Sequence, residues 1–178
     1  TGPGQLNRPH SLAVFGNFVY ITDQWNNRVE KFGLDGNYLL QWGDLGSGEG
    51  QFNNPVGIAA DRHGDVYVTD HLNHRIEKFD PRGRFLLQFG REGRRPGQFE
   101  HPQGLRFDSQ GRLFVADDGN NRIQIFDPHL RYLGQWGIFG TRPGQFNRPT
   151  AVAFAPGGDV YVVDSYNNRV QKFGPLKP

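Results

Sequence analysis

Cysteine is absent from this 178-residue chain, so neither a disulfide framework nor a thiolate metal site can form. A large excess of one sign of charge is lacking as well: the net charge is +2, which gives no strong argument for nucleic acid or a membrane as partner. No apolar run approaches the roughly 18 residues that cross a bilayer. The chain shows no signal peptide and does not begin with methionine, so we expect an excised domain. A cysteine-free chain suits a reducing or an oxidising compartment, so the localisation stays open.

Helical periodicity is missing too, because no apolar stripe of period 3.6 lasts beyond one turn. The chain instead contains 25 glycines and 13% aromatic residues. Glycine-rich turns between aromatic and β-branched segments favour an all-β protein.

Four related heptads give the chain its internal order: DQWNNRV, DHLNHRI, DDGNNRI and DSYNNRV. They begin at Asp23, Asp70, Asp117 and Asp164, in steps of 47 residues. A second marker, GQL or GQF, begins at Gly4, Gly50, Gly97 and Gly144, in steps of 46, 47 and 47. A fixed period with strand-like content predicts a propeller or a related array. We interpret 1–178 as one domain, with repeats at approximately 4–49, 50–96, 97–143 and 144–178.

One repeat predicts four short strands at 56–61, 65–70, 75–80 and 84–90, separated by tight turns and followed by a long glycine-rich connection. Four antiparallel strands joined by short turns match one propeller blade. Aromatic residues recur at fixed positions and are expected to fill the space between blades. They are Phe32, Phe79, Phe126 and Phe173; Phe52, Phe99 and Phe146; and Trp42, Phe89 and Trp136.

The stretch NRPTAVAFAPGGDVYVVDSYNNRVQKF at 147–173, with its three sister stretches, resembles NHL repeats. That family forms β-propellers, usually of five or six blades. The resemblance implies an all-β propeller with four blades of four antiparallel strands, the last blade having only three. Such a chain either closes as a four-bladed ring or forms part of a larger or oligomeric propeller.

Residues that recur in every repeat are interpreted as scaffold. Each heptad begins with an aspartate that ends the second strand, and its arginine begins the third, so the two side chains can pair across the hairpin. The predicted pairs are Asp23 with Arg28, Asp70 with Arg75, Asp117 with Arg122, and Asp164 with Arg169. The residue before each arginine is Asn, or His74 in one copy, and Asn tolerates a positive φ.

Residues that differ between repeats are candidates for a binding face at one end of the propeller. By family resemblance, the turns between second and third strands and the inter-blade connections share that end. The candidates are His10, Gln24, Trp25, Val56, His71, Leu72, Gln103, Arg106, Asp118, Thr150, Ser165 and Tyr166. Arg106 replaces an alanine found in the other three repeats, and it could bind an anion or carboxylate near the axis.

Three functions stay open. The first is a non-catalytic module that binds a protein or peptide, anchored by exposed aromatic groups. The second, implied by some tripartite-motif NHL proteins, is single-stranded RNA binding through a partly basic face that includes 91–97, although acidic residues share it. The third is a metal-dependent lyase or lactonase, but His10, His71 and His101 come from unmatched positions. We therefore expect no catalytic residue, metal or cofactor. No membrane partner is expected, and a homo-oligomer through open blade faces is a further alternative.

Overall fold

The structure is a computed structural model that describes residues 2–175, and within them it is all β-strand apart from turns, connections and three single 3-10 turns. The strands are β1 (Pro9–Phe15), β2 (Phe18–Asp23), β3 (Arg28–Gly33), β4 (Tyr38–Trp42), β5 (Pro55–Ala60), β6 (Val66–Asp70), β7 (Arg75–Phe79), β8 (Phe85–Phe89), β9 (Pro102–Phe107), β10 (Leu113–Asp117), β11 (Arg122–Phe126), β12 (Tyr132–Trp136), β13 (Pro149–Phe154), β14 (Val160–Asp164) and β15 (Arg169–Phe173). Residues 176–178 of the predicted last repeat lie outside the described range.

The strands form four separate antiparallel sheets, which we call blades 1 to 4. Each follows chain order: β1–β4, β5–β8, β9–β12 and the three-stranded β13–β15. The predicted propeller, with four blades and a three-stranded last blade, is confirmed. The four strands predicted for one repeat correspond to β5, β6, β7 and β8, and each predicted boundary differs from the observed one by at most one residue.

The tight turns obey simple steric rules. Gly83 sits between β7 and β8 with a φ of +77°, which favours glycine. A Cβ at this position would lie 2.7 Å from the ring of Trp42 on the preceding blade. The turn therefore needs glycine for its own conformation and for the close approach of the neighbouring blade.

Each blade packs through two faces. We call the face towards the preceding blade the leading face, and the face towards the following blade the trailing face. Between blades 1 and 2, for example, Tyr20 and Val29 of the trailing face meet Ile58, Val68 and Phe79 of the leading face in one buried cluster. Equivalent clusters lie between blades 2 and 3 and between blades 3 and 4. The recurring aromatic residues belong to these clusters, as the sequence predicted, with the exception of Phe32. Phe32 is partly exposed on the leading face of blade 1, and its ring packs on Tyr38 of the same blade.

Packing of the innermost strands runs in one direction around the propeller axis. Strand β1 packs on β5, β5 on β9, and β9 on β13, but β13 does not pack on β1 in this way. Leu12 on the leading face of blade 1 is accordingly 55% exposed, whereas its counterpart Ile58 is buried. Within the described residues, blade 4 therefore does not cover the leading face of blade 1.

We predict that Phe99→Ala lowers the free energy of unfolding by about 3–5 kcal/mol, because the fully buried ring leaves a cavity between blades 2 and 3. The matched control is Phe139→Ala. Phe139 lies in an inter-blade connection and is 69% exposed, so its removal should change stability by less than about 0.5 kcal/mol. Urea denaturation followed by circular dichroism measures both, and equal losses would contradict the assignment of the core.

Candidate binding face

The turns between second and third strands and the inter-blade connections meet at one end of the propeller, which we call the end face. The Trp25 N–H donates to the Asn7 carbonyl at 3.2 Å, and the Tyr166 N–H donates to the Asn147 carbonyl at 3.1 Å. The other two blades repeat this arrangement through Leu72 and Gly119. Each turn is thereby fixed to the connection that enters its own blade.

A buried aspartate organises the end face in every blade. In blade 2, Asp70 Oδ1 accepts the Asn53 N–H at 2.7 Å, while Oδ2 accepts the Asn73 side-chain amide at 2.7 Å. Oδ2 also pairs with Arg75 Nε at 2.8 Å. The equivalent pairs are Asp23–Arg28 at 2.9 Å, Asp117–Arg122 at 2.7 Å and Asp164–Arg169 at 2.7 Å. Both carboxylate oxygens are occupied, so these pairs serve as structural clamps.

The arginine of each clamp extends it to the connection. The Arg75 guanidinium donates to the carbonyls of Ser47, Gly48 and Gln51 at 2.7–2.8 Å. Arg122 and Arg169 make the same three contacts in their blades. Three directed bonds from one planar group hold a glycine-rich loop in a single conformation. The end face is therefore a preformed surface.

Behind the clamp, one position carries Glu30 and Glu77 in blades 1 and 2 but Gln124 and Gln171 in blades 3 and 4. It is buried in the first three blades and partly exposed in blade 4. The Gln124 amide donates to Asp117 at 3.0 Å and to the Gln98 carbonyl at 2.7 Å. Glu77 has no N–H to donate, and its Oε2 is buried without a hydrogen bond. Burial raises the pKa of Glu77 to about 7, against the opposing effect of Arg75. A protonated Glu77 would reproduce the donor that Gln124 supplies.

A second device links neighbouring blades at the end face. The residue after each turn has a positive φ, and in three blades its side chain accepts a backbone N–H from the next blade. Asn27 Oδ1 accepts from Asn54 at 2.8 Å, and Asn121 Oδ1 accepts from Arg148 at 2.9 Å. In blade 2 the acceptor is His74 Nδ1, which lies 3.2 Å from the His101 nitrogen. We call these three contacts the acceptor ladder.

Histidines gather where the ladder crosses from blade 2 to blade 3. The His101 ring lies 4.9 Å from the His71 ring and 4.5 Å from the His74 ring, between centroids. His71 Nδ1 is 3.3 Å from the Pro102 carbonyl oxygen. Burial lowers the pKa of His71 to about 4, and the charges of His101, His74 and Arg148 act in the same direction. Sequence reasoning grouped His71 and His101 with His10, which stands on blade 1, and it missed His74.

All six histidines and all 18 carboxylate residues of the chain lie within residues 2–175. No group of three or more histidine or carboxylate side chains there is arranged to hold a metal ion.

Two aromatic anchors project from the end face. Trp25 is 59% exposed and Tyr166 is 63% exposed, although both lie in short, hydrogen-bonded turns. The guanidinium of Arg8 lies 5.0 Å from the Trp25 ring centroid, and that of Arg148 lies 5.3 Å from the Tyr166 ring centroid. Asp118 pairs with Arg148 at 3.0 Å and fixes it beside Tyr166. Both anchors are therefore held in place and remain accessible.

The other predicted candidates divide by burial. Gln24, Val56 and Asp118 are buried, so they present no surface to a partner and are removed from the face. His10 and Arg106 are exposed and Leu72 is largely exposed, whereas His71, Gln103, Thr150 and Ser165 are partly exposed. Arg106 makes no ion pair or hydrogen bond with any residue in 2–175.

Sequence reasoning missed three apolar residues in the connections. Leu45, Ile138 and Phe139 are each more than 60% exposed. Ile138 and Phe139 line a shallow cavity of about 410 Å³ beside the turn that contains Gly119. The sequence did contain a signal for two of them, because each is an apolar residue in a polar connection. Leu45 and Phe139 occupy the position that Glu92 occupies in the repeat between them.

A separate cavity of about 450 Å³ lies at the opposite end, between blades 2 and 3, and His63 and His129 are in its lining. The Lys78 ammonium there lies 2.7 Å from Asp65 and 3.6 Å from Asp61. These two carboxylates neutralise the lysine, and the cavity contains no nucleophile paired with a base.

The model of the NHL repeat matches this sequence four times, at residues 6–32, 52–79, 99–126 and 146–173. The chain belongs to the NHL repeat family. A stretch of 60 residues is 39% identical to RING finger protein nhl-1 of Caenorhabditis elegans, which covers 33% of this chain and 6% of that protein. The chain therefore spans only a small part of this curated relative.

Solved structures resemble this NHL chain over nearly its whole length. A chain in the structure of a nidogen/laminin complex is 25% identical, with a TM-score of 0.67 over 96% of this chain and 65% of that chain. A streptogramin B lyase is 17% identical, with a TM-score of 0.70 over 96% of this chain and 56% of that chain. The likeness to the lyase shows the fold alone. Within residues 2–175, no helix is long and apolar enough to span a membrane.

We predict that Glu77→Gln raises the free energy of unfolding at pH 8 by about 1–2 kcal/mol, because it supplies the amide donor found in blades 3 and 4. The folded-state pKa of Glu77 is raised above its ordinary value. Its contribution to stability is therefore present below about pH 4.5 and lost as the pH rises through about 7. The gain should shrink at pH 5, and urea denaturation at both pH values measures it. The mirror variant Gln124→Glu should lose stability at pH 8; a gain there would refute the explanation.

We predict that His71 makes the protein less stable as the pH falls from about 6.5 to about 4. Its folded-state pKa is lowered, so the unfolded chain binds more protons in this window. His71→Gln, which copies Gln24 of blade 1, should flatten this part of the stability profile in urea denaturation between pH 7.5 and 4. His63→Gln, in an exposed turn, is the matched control. An unchanged slope in His71→Gln would show that the buried imidazole is not responsible.

Proposed function

We propose that this NHL propeller is a non-catalytic binding module whose end face takes a protein partner through a short peptide segment. The observation that carries the proposal is the pair of exposed aromatic side chains, Trp25 and Tyr166, standing in turns that the clamps hold rigid. Aromatic side chains are enriched among the residues that dominate binding energy at protein interfaces. Large apolar groups exposed in ordered, polar turns are typical of interaction sites.

The rigidity of the end face supports binding because little order has to be created when a partner arrives. The turn at Trp25 is bonded to its connection, and Arg75, Arg122 and Arg169 hold the connections of their blades through three carbonyls each. A surface already in its bound conformation avoids the entropy loss that otherwise weakens association. The exposed Ile138 and Phe139 add a shallow apolar cavity that could seat one side chain.

The charges beside the anchors suggest the chemistry of the partner. Arg8 is exposed and makes no ion pair within the described chain, and Arg148 lies beside Tyr166 with one side open to solvent. We infer a peptide that combines an aromatic or aliphatic side chain with a carboxylate. The similar chain from the structure of a nidogen/laminin complex supports a protein as the partner.

Single-stranded RNA is the alternative that the same residues would favour, because nucleobases also stack on aromatic rings and guanidinium groups. Acidic residues in the connections oppose it. Glu100 lies in the same connection as Arg94, 3.8 Å from its Nε, which weakens the basic character of this part of the end face.

We predict that peptides selected on the purified protein from a displayed random library lose at least tenfold in affinity on Trp25→Ala combined with Tyr166→Ala. The two rings are largely exposed, so the double variant should keep the fold. Isothermal titration calorimetry with the selected peptide measures the loss. The matched control is Leu39→Ala combined with Leu133→Ala, which removes exposed apolar groups from the outermost strands, away from the end face.

Two outcomes would overturn the proposal. One is unchanged peptide affinity in the Trp25 and Tyr166 double variant. The other is selection of no peptide at all, together with tight and strongly salt-dependent binding of a random single-stranded RNA pool that the double variant abolishes. The second outcome would assign the end face to RNA.

A further inference from the structure

The connection between blades 2 and 3 contains a cavity that is lined by two arginines. Its volume is about 290 Å³, and its lining consists of Gly90, Arg91 and residues 95–98. Arg91 and Arg95 are both exposed. Because the inter-blade connections form part of the end face, this cavity belongs to the surface for which we propose a peptide partner.

Neither arginine of the cavity has a charge partner. The guanidinium groups of Arg91 and Arg95 form no ion pair and no hydrogen bond with any residue in 2–175. The same connection contains two acidic residues, Glu92 and Glu100. Glu100 lies 3.8 Å from Arg94 instead, and Glu92 forms no ion pair within the described residues. Two positive charges therefore stand beside one cavity without compensation.

The pair of arginines is a local feature of this connection and not part of the repeated scaffold. The corresponding residues in the connections that enter blades 2 and 4 are Asp44 with Gly48, and Ile138 with Arg142. Those two connections are held by the same clamp as this one. The loop therefore forms without Arg91 and Arg95, so its folding does not require their charges.

The backbone on both sides of the cavity is already held in place. The Arg91 carbonyl accepts the Phe99 N–H at 2.9 Å. The Arg95 N–H donates to Gln98 Oε1 at 3.0 Å, and the Arg95 carbonyl accepts the Gln98 N–H at 3.0 Å. The clamp residue Arg122 donates to the same carbonyl at 3.2 Å. Binding at the cavity therefore has to order only the two arginine side chains, which limits its entropy cost.

We propose that this cavity binds a phosphate monoester carried on a side chain of the peptide partner, with Arg91 and Arg95 as the groups that contact the phosphate. The inference rests on the proposed function of the end face, which supplies the peptide. A guanidinium group presents parallel N–H donors that match the oxygens of a phosphate. A phosphorylated side chain opposite a group of arginines gains new charge-assisted hydrogen bonds.

Charge and size favour a phosphorylated side chain over the other anions. A phosphate monoester carries a charge of about −1.5 to −2, which two uncompensated guanidinium groups balance, whereas a carboxylate carries only one charge. The cavity of about 290 Å³ is at the lower limit of the roughly 300–1,000 Å³ that small-molecule sites occupy. It therefore suits a phosphate with a short link better than a whole nucleotide. RNA would bring a row of single charges past Glu92 and Glu100.

The first test uses ethyl phosphate and the 178-residue protein, so it needs no peptide. On titration, the Nε–H signals of Arg91 and Arg95 should shift in the proton–nitrogen NMR spectrum. Ethyl sulfate has the same shape but a single charge, and at constant ionic strength it should need at least a fivefold higher concentration for the same shift. Arg91→Asp, which copies Asp44, should abolish the shift at Arg95. The matched control is Arg82→Asp, which makes the same change of charge in an exposed turn at the opposite end and should leave the shift intact.

The second test places the phosphate on a peptide. Two random peptide libraries that differ only in a fixed central phosphoserine or serine are selected on the purified protein, and fluorescence anisotropy measures the affinities. The phosphoserine peptides should bind at least tenfold more tightly than their serine versions, because hydrogen bonds to charged groups are worth about this much. Arg91→Asp combined with Arg95→Gly, which copies the loop of blade 2, should reduce this ratio to less than twofold. Arg82→Asp should leave the ratio unchanged.

The outcomes separate this inference from the proposed function. If ethyl phosphate shifts neither arginine signal, or if Arg91→Asp keeps the shift at Arg95, the phosphate site is refuted. Equal affinity for phosphoserine and serine peptides that still depend on Trp25 and Tyr166 would also overturn the inference, while leaving the proposed peptide binding in place. Tight binding of a random single-stranded RNA pool that requires Arg91 and Arg95, without any gain from phosphoserine, would assign the cavity to RNA and overturn the inference as well.

Discussion

The buried carboxylate at the end of the second strand is the constraint on which the rest of the molecule depends. Its two oxygens fix the hairpin, the turn and the connection at once, because they accept from a backbone N–H, a side-chain amide and a guanidinium. A buried charge is stable only when it is fully paired and hydrogen-bonded. The aspartate therefore requires these partners in every blade. The heptad recurs as a unit for this reason: Asp, then Asn three residues later, then Arg two residues after that.

Once the turn is fixed, the position of every neighbouring group follows. The arginine holds the connection that enters its own blade, and this connection leads into the innermost strand of that blade. The aromatic residues fill the space between the sheets. Bulky side chains can then vary where they point away from these contacts. Trp25 and Tyr166 occupy such places, which explains how bulky rings can vary on a frame that is otherwise repeated.

The fold was predictable from the sequence because the same pattern of turn, strand and pairing residues occurs four times. The period placed β5 to β8 to within a residue, and the paired Asp and Arg positions predicted contacts later found at 2.7–2.9 Å. The candidate face was less predictable, because a comparison of the four repeats shows which residues vary but not in which direction their side chains point. Gln24 and Asp118 vary, yet they turn inwards. Asp118 does so because it pairs with Arg148, thirty residues away along the chain.

The contacts that depend on neighbouring blades were the hardest to foresee. Nothing in a single repeat indicates that His74 accepts a hydrogen bond from the His101 N–H, or that Asn121 accepts one from the Arg148 N–H. Such contacts join residues that belong to different repeats, so they need the rotation of one blade on the next. The sequence specifies the blade, whereas this rotation comes from the packing of side chains between blades.

The acceptor ladder has an evolutionary consequence. Each blade carries the acceptor for its successor and the donor for its predecessor, so a unit copied whole arrives with both halves of the bond in the correct order. A gene could gain or lose one 47-residue unit in frame without any new interface having to arise by mutation. The number of blades could thus change in a single genetic event, while the joints that hold the blades stay the same.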